Sequence, residues 1–284
     1  MTSQALVSSP SYPATRFLAF DTSTDVMSIA LTDGQRVWQH TGPGGAKAST
    51  TLIPAILALL DQAQREVGLT LQTLDAIVFG QGPGSFTGLR TACAVAQGLA
   101  FGAASGPGGP HADGLPVLPV PTLLALAEQA RFAYAALAGA GANAPLRITA
   151  LLDARMDEMY VQSYDFNSGI ENANKGISMI RPECLVPEPV NGQTLLLAGN
   201  VFGVYAGRLP DVSAFACIQA LPTATALLRL APALAVRGGC VPADQALPLY
   251  VRNKVAQTTA ERCQAKAEKM QLALAPDTAS IGIG

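Results

Sequence analysis

The chain has 284 residues, of which 49% are hydrophobic and only 13% are charged. This composition permits a large hydrophobic core and excludes extensive disorder. The formal net charge of −2 argues against a free-standing nucleic-acid-binding protein, because such a protein needs a basic surface to contact phosphates.

The cysteines and the N-terminus indicate the cellular compartment. The five cysteines are dispersed and include no C-x-x-C pair, which indicates reduced and mostly buried thiols. No run approaches the roughly 18 apolar residues that a membrane helix requires. Residues 1–16 lack the apolar core of a signal peptide, and we expect a flexible leader there. We therefore predict a cytoplasmic protein without a membrane contact.

The first half of the chain predicts strands at the start and helices after them. Apolar runs predict strands at 17–20, 26–31, 35–40, 76–79 and 116–120, with a hairpin turn at Asp33-Gly34. Apolar residues at helical spacing predict helices at 51–60, 91–101 and 122–138. The Gly/Pro-rich segment 105–114 is expected to be a surface insertion.

The second half repeats the opening pattern after a Gly/Ala-rich break at 139–145, a candidate boundary between lobes. A strand that ends in Asp21 is followed by a small polar turn and a second strand, and the same order recurs around Asp153. Two such hairpins are a weak signal of an internal repeat. The later predicted elements are strands at 148–152, 159–164 and 195–197, a helix at 223–236 and an extended segment at 247–251.

A glycine-rich string, Gly82-Pro83-Gly84-Ser85-Phe86-Thr87-Gly88-Leu89-Arg90, lies between an apolar strand and a helix. Its backbone N–H groups could face an anion at the positive end of that helix. The string is not a Walker loop, because the required lysine is absent, and Ser85 replaces the third glycine of a dinucleotide fingerprint. The alternative is a tight turn whose glycines only permit close packing. The spacing does not decide between the two.

Asp21 ends the first strand and is followed by Thr22, Ser23 and Thr24. A carboxylate in this place often contacts phosphate or magnesium in ATPases. The alternative is a polar turn that closes a hairpin, and Asp153 permits the same two interpretations. The candidate residues of a vestigial nucleotide or anion site are Asp21, Thr22, Ser23, Gly82, Gly84, Ser85, Thr87 and Arg90.

The sequence offers few histidines for catalysis or metal binding. His40 and His111 are the only histidines, they are far apart in the sequence, and no H-x-x-x-H or H-E-x-x-H is present. A zinc peptidase or a histidine-dependent nucleophile is therefore not expected. We expect neither catalytic nor metal-ligating residues.

Two helices, at 51–60 and 89–101, are apolar around much of their circumference. Such a helix belongs to the core, or it buries one face inside and the other against a second subunit. The candidate partner-contacting residues are Thr51, Leu52, Ala55, Ile56, Leu59, Leu89, Ala92, Cys93 and Ala96.

Four segments together carry a family resemblance. They are Leu18-Ala19-Phe20-Asp21-Thr22-Ser23-Thr24, the glycine-rich string, Asp153-Ala154-Arg155-Met156-Asp157-Glu158-Met159-Tyr160 and Pro248-Leu249-Tyr250-Val251-Arg252. With them the chain resembles the TsaB (YeaZ) family over most of residues 17–258. These bacterial proteins serve in making threonylcarbamoyladenosine on tRNA.

The resemblance implies an α/β fold of the actin-like and Hsp70-like (ASKHA) type. This fold is duplicated into two lobes, each with a mixed β-sheet flanked by helices. It implies a first lobe at 17–120 that carries the partner-binding helices, a second lobe at 121–258 and a polar tail at 259–284.

The resemblance also implies a non-catalytic scaffolding subunit without a cofactor. Family members pair with a larger paralogue, TsaD, which holds a metal and transfers the threonylcarbamoyl group to N6 of adenosine 37. A small ATPase, TsaE, joins them, tRNA is bound only through the complex, and the subunit forms homodimers when alone. TsaD takes metal ligands from an H-x-x-x-H on its first-lobe helix, and the corresponding residues 47–52 here contain no histidine. The alternative is an active phosphotransferase or ATPase that holds ATP and magnesium with Asp21 and the glycine-rich string.

Overall fold

The computed structural model describes residues 15–104, 111–138, 145–167, 170–173, 176–189 and 192–252. The described residues up to Tyr250 belong to one compact unit. The predicted leader, apart from Thr15 and Arg16, and the predicted tail lie outside the described residues. Most of the predicted insertion and of the Gly/Ala-rich break also lie outside them.

Five strands of the first half form one mixed sheet. They are β1 (Phe17–Asp21), β2 (Val26–Thr32), β3 (Val37–Pro43), β4 (Ala76–Gly82) and β5 (Val117–Pro121). Their order is β3-β2-β1-β4-β5, with β1 to β3 antiparallel and with β4 and β5 parallel to β1. Strand β1 is buried along its whole length and is apolar up to its last residue, Asp21, as expected for a central strand covered on both faces.

The strands of the second half form a sheet with the same connections. They are β6 (Leu146–Arg155), β7 (Glu158–Asn167), β8 (Ile170–Ala173), β9 (Ser178–Ile180), β10 (Thr194–Gly199) and β11 (Ala216–Gln219). Strands β6 and β7 pair antiparallel as β1 and β2 do, and β10 and β11 run parallel to β6. The predicted duplicated α/β fold is therefore confirmed, whereas the predicted lobe boundary at 120/121 stays a prediction.

The helices are α1 (Ala48–Val67), α2 (Phe86–Gly102), α3 (Thr122–Ala138), α4 (Val201–Val204) and α5 (Ala224–Val236). The first two are longer than predicted. Helix α2 begins at Phe86 because Ser85 caps it, with the Ser85 hydroxyl accepting a hydrogen bond from Gly88 N at 3.4 Å. Helix α1 continues to Val67 and ends at Gly68, whose left-handed backbone closes the last turn.

Helices α1 and α2 cover one face of the first sheet. Alternate side chains of β1, Leu18 and Phe20, belong to one hydrophobic cluster with Leu52 and Ile56 of α1 and with Ala96 of α2. Helix α5 contacts β1, β2, β4 and β5 of the same sheet. The first sheet is thus a central layer between two helical layers.

The last helix of each half packs on the other half. Helix α3 follows β5 and contacts β4 and β5, but it also contacts β6, β7, β10 and β11 of the second sheet, and α5 follows β11 but contacts the first sheet. The two helices also contact each other: buried Glu128 accepts hydrogen bonds from Arg131 Nε and, across the pair, from Arg229 Nε, both at 2.7 Å. The two halves therefore share one interior.

The composition predicted that the chain has no membrane helix and that its thiols are mostly buried. In the described part of the chain, no helix is both long enough and apolar enough to cross a bilayer. The expectation of mostly buried thiols is wrong for Cys184 and Cys217, which are exposed, whereas Cys93 is buried and Cys240 is partly buried. Cys263 lies outside the described residues.

Candidate functional site

The first polar turn and the glycine-rich string lie at the same edge of the first sheet. Strands β1 and β4 are parallel neighbours, so their carboxyl ends meet there. Strand β1 ends in Asp21 and leads into Thr22 and Ser23, and β4 ends in Gly82 and leads into α2. The sequence placed these residues in one candidate site, and their contacts indicate which role they have.

Asp21 faces the interior. Its side chain is fully buried, and its Oδ1 accepts hydrogen bonds from Ser23 N at 2.9 Å and from Ser23 Oγ at 2.6 Å. Its Oδ2 has no hydrogen-bond partner among the described residues and lies so close to Gly80 that a Cβ there would be 1.8 Å away. Burial raises the pKa of Asp21 to about 6, against the lowering effect of the hydrogen bonds from Ser23. The carboxyl group closes a polar turn and is withdrawn from the surface at which a phosphate would be held.

The glycine-rich string packs directly on that turn. Thr22 Oγ1 donates a hydrogen bond to Gly88 O at 2.8 Å, and Ser85 N donates to Ser23 O at 2.7 Å. A Cβ at Gly84 would lie 2.5 Å from Ser23 O, and one at Gly88 would lie 1.9 Å from Thr22 O. Only glycine permits this approach of the two backbones.

Several backbone donors of the string are used within the chain. Besides Ser85 N, Gly82 N donates to Thr122 Oγ1 at 3.1 Å and Gly88 N donates to Ser85 Oγ at 3.4 Å. These bonds support the close-packing interpretation for Gly82, Ser85 and Gly88. An anion contact stays a prediction for Thr87 and Arg90, whose side chains are exposed.

The corresponding turn of the second half has different surroundings. Asp153 Oδ1 accepts a hydrogen bond from Tyr205 Oη at 2.7 Å, and Asp153 N donates to Asn200 Oδ1 at 2.9 Å. Arg155 forms ion pairs with Asp153 and, across to the first turn, with Asp25. Arg155 and the two residues after it all have positive φ, of 56° to 61°. The two turns that face each other are thus joined by an ion pair.

Arg90 belongs to a surface cluster that the sequence did not predict. Its guanidinium lies 3.9 Å from the centre of the Phe86 ring, and its Nε donates to Tyr250 Oη at 3.1 Å. The rings of Phe86 and Tyr250 are 5.3 Å apart. The segment before Tyr250 lies along α2 and β4, with Leu249 N donating to Gln81 O at 2.8 Å. The extended segment 247–251 was predicted, but its place against α2 depends on contacts far apart in the sequence.

The predicted partner-contacting residues require a correction. All except Thr51 and Ala55 are buried, because they form the inner faces of the two helices: Leu52, Ile56, Leu59, Leu89, Ala92, Cys93 and Ala96. Most of these side chains lie in the hydrophobic cluster under α1 and α2. They have no surface free for another protein, and placing them at an interface was wrong. Thr51 and Ala55 are half-buried.

A different set of residues forms the outer face of the two helices. Ile53 and Leu57 of α1 are 47% and 53% exposed, and Phe101 of α2 is 55% exposed. Ala94 and Gly98 of α2 are also exposed. We call these five residues the outer helix face. The sequence carried a signal for it, because 94, 98 and 101 continue the helical spacing of 87 and 90.

No described group of three or more His, Cys, Asp and Glu side chains is arranged to hold a metal ion.

Comparison with known proteins identifies the family. The family model described as "TsaD: tRNA N6-adenosine threonylcarbamoyltransferase" matches residues 39–275. The Escherichia coli "tRNA threonylcarbamoyladenosine biosynthesis protein TsaB" is 30% identical over 250 residues, which are 85% of this chain and 96% of that protein. The Haemophilus influenzae protein of the same name is 32% identical over 84% of this chain and 94% of its own length.

A solved structure agrees with these relatives. The structure described as "YeaZ from Pseudomonas aeruginosa" superposes with a TM-score of 0.68 at 35% identity, and the match covers 84% of this chain and 100% of that one. The relatives, the superposition and the duplicated pair of sheets point the same way. The chain belongs to the TsaB (YeaZ) family of tRNA threonylcarbamoyladenosine biosynthesis proteins.

Proposed function

We propose that the chain is a non-catalytic scaffolding subunit of the complex that forms N6-threonylcarbamoyladenosine at position 37 of tRNA. It acts in the cytoplasm and binds the paralogue TsaD through the outer helix face. TsaE and tRNA join through the complex, and the same face forms a homodimer when TsaD is absent. The observation that carries this proposal is the outer helix face itself.

The outer helix face has properties that the isolated chain does not explain. Three large apolar side chains, Ile53, Leu57 and Phe101, are about half exposed on helices that cover the same side of one sheet. A glycine inside a helix costs about 0.5–1 kcal/mol relative to alanine. A Cβ at Gly98 or at Gly102 would meet nothing within 4 Å, so packing within the described chain does not require either glycine. Both features favour a second helix that packs closely here.

The alternative function, an active phosphotransferase or ATPase, has weaker support. It needs Asp21 at the surface and free N–H groups in the glycine-rich string. Asp21 is buried, and Ser85 N and Gly88 N are bonded within the chain. Calorimetric titration of the isolated chain with ATP and magnesium tests this alternative. Tight binding with turnover would establish the alternative, and we expect neither.

A substitution on the outer helix face tests the scaffolding proposal. Leu57→Asp places a charge in the centre of the face, where burial against TsaD would be unfavourable. We expect the affinity for purified TsaD to fall by at least about tenfold, because a central apolar contact at an interface typically carries this much. Light scattering should show the homodimer weakened in parallel.

Val204→Asp provides the matched control. Val204 is 55% exposed, much as Leu57 is, but it lies on α4 in the second half. This variant should bind TsaD like the unmodified chain. Equal binding by both variants would place the interface elsewhere and contradict the proposal.

A further inference from the structure

Arg90 differs in its charge environment from the described arginines that form ion pairs. Arg65, Arg131, Arg147, Arg155, Arg208 and Arg229 each pair with a carboxylate. Arg90 forms no ion pair with any described residue, and only its Nε makes a hydrogen bond. The donors on its two terminal nitrogens are therefore available, in the planar fork that matches a carboxylate.

The guanidinium is nevertheless held in place. It stacks on the Phe86 ring at 3.9 Å and is bonded through Nε to the Tyr250 hydroxyl. Tyr250 is in turn fixed by the preceding segment, in which Ala246 O accepts hydrogen bonds from Gln97 Nε2 at 2.9 Å and Cys93 Sγ at 3.1 Å. An exposed arginine usually loses side-chain entropy when it binds. Because these contacts already restrict Arg90, its side chain loses less conformational entropy on binding.

Arg90 lies on the same stripe of α2 as the outer helix face. Residues 87, 90, 94, 98 and 101 recur every three or four positions and are all exposed. A surface that buries Ala94 and Phe101 therefore also approaches Arg90. Arginine and tyrosine at such a position are typical of the residues that contribute most to binding at protein interfaces.

We infer that Arg90 is a preorganised anchor for a carboxylate of the partner subunit, an Asp or Glu side chain that docks beside the outer helix face. This rests on the proposed function and adds a charged contact to it. A protein carboxylate is favoured over an RNA phosphate for two reasons. The anchor is continuous with an apolar face, and RNA binding through the backbone needs several cationic contacts, whereas the chain carries a net charge of −2.

Affinity measurements on the full chain with purified TsaD test the anchor. Arg90→Ala should weaken binding by about tenfold, and Arg90→Glu should weaken it further through like-charge repulsion. The loss should be largest at low salt and should shrink at high salt, a dependence that a change in folding would not produce. Tyr250→Phe, which removes only the hydroxyl that orients the guanidinium, should weaken binding by roughly two- to threefold.

Carbodiimide coupling tests the chemical class of the ligand directly. The primary amine introduced by Arg90→Lys forms an amide with a carboxylate in contact with it, and water is lost overall. Mass spectrometry of the cross-linked complex should join position 90 to an Asp or Glu of TsaD. Arg36→Lys is the control, because Arg36 is an exposed arginine on the hairpin between β2 and β3. It should give no such link, and Arg36→Ala should bind normally.

The outcomes separate the two proposals. If the unmodified chain does not bind TsaD, the proposed function fails and the anchor fails with it. If the unmodified chain binds and the Arg90→Ala and Arg90→Glu variants bind equally well, only the anchor is refuted. If these variants keep their affinity for TsaD while the assembled complex loses tRNA, the ligand is an RNA phosphate and the inference is overturned.

Discussion

Asp21 carries a fully buried carboxyl group. The sequence predicted its place at the end of β1 and gave a polar turn with the residues after it as one of two interpretations. It could not predict that the side chain is fully buried with Oδ2 against Gly80, because that depends on the pairing of β1 with β4. Because the side chain is buried, its ionisation costs free energy, and the residue is a poor candidate for a ligand.

The raised pKa of Asp21 predicts an unusual pH dependence of stability. The folded pKa of about 6 exceeds the ordinary value of 3.8, so the folded state binds the proton more tightly. The contribution of this group to stability is therefore greatest below about pH 4 and is lost as the pH rises through 6. At pH 7 the loss amounts to about 3 kcal/mol.

Asp21→Asn should therefore stabilise the protein at neutral pH. Asparagine cannot ionise, and its Oδ1 still accepts the hydrogen bonds from Ser23. Urea unfolding should show a gain of up to about 3 kcal/mol at pH 7 and a flatter profile between about pH 4 and 6. Ser23→Ala should have the opposite effect on stability at pH 7. A loss of stability in Asp21→Asn that is equal at all pH values would contradict the assignment.

Among the elements, most strands and the glycine-rich string were predictable, whereas β8, β9, β11 and the exposed face of α1 were not. Strand runs and turn residues are local signals. The choice of the buried face of α1 is not local, because Leu52 and Ile56 point inward while Ile53 and Leu57 are almost as apolar and point outward. Only the position of the sheet distinguishes the two faces.

Glycine has two different roles in α2, close backbone packing at Gly88 and an open helix position at Gly98. Two substitutions to alanine contrast them. Gly88→Ala would place its Cβ 1.9 Å from Thr22 O, a backbone atom that cannot move aside, and should destabilise the protein by about 3 kcal/mol or more. Gly98→Ala meets open space and should stabilise α2 by about 0.5–1 kcal/mol. Thermal unfolding of both variants measures this difference.

Gly98→Ala has a second expected result if the proposed interface is correct. Its methyl group would separate α2 from a closely packed partner helix. The variant should therefore be more stable alone and bind TsaD more weakly. A more stable variant with unchanged affinity would show that close helix approach at Gly98 is not needed.

At the scale of the whole molecule, the contact between α3 and α5 holds the halves together. Buried Glu128 pairs with both Arg131 and Arg229, which are themselves partly buried. Desolvation lowers the pKa of Arg229, against the raising effect of Glu128. The sequence did not predict this contact, because the three residues come together only when the two helices lie side by side.

Glu128→Gln should destabilise the molecule strongly. It leaves two partly buried guanidinium groups without their carboxylate, a loss of about 3–5 kcal/mol for a buried pair. Asp61→Asn is the control, because the Asp61–Arg65 pair on α1 is exposed and should contribute at most about 1 kcal/mol. Urea unfolding of both variants tests this, and similar small losses in the two would show that the buried pair is dispensable.

The exchange of α3 and α5 between the halves has a consequence for synthesis on the ribosome. The first sheet is complete once β5 has been made, but the face that α5 covers stays incompletely covered until α5 arrives. Helix α5 is the last helix of the described chain. The part of the protein that is translated first is therefore finished late, and its apolar strands stay partly open to other nascent chains until α5 has emerged from the ribosome.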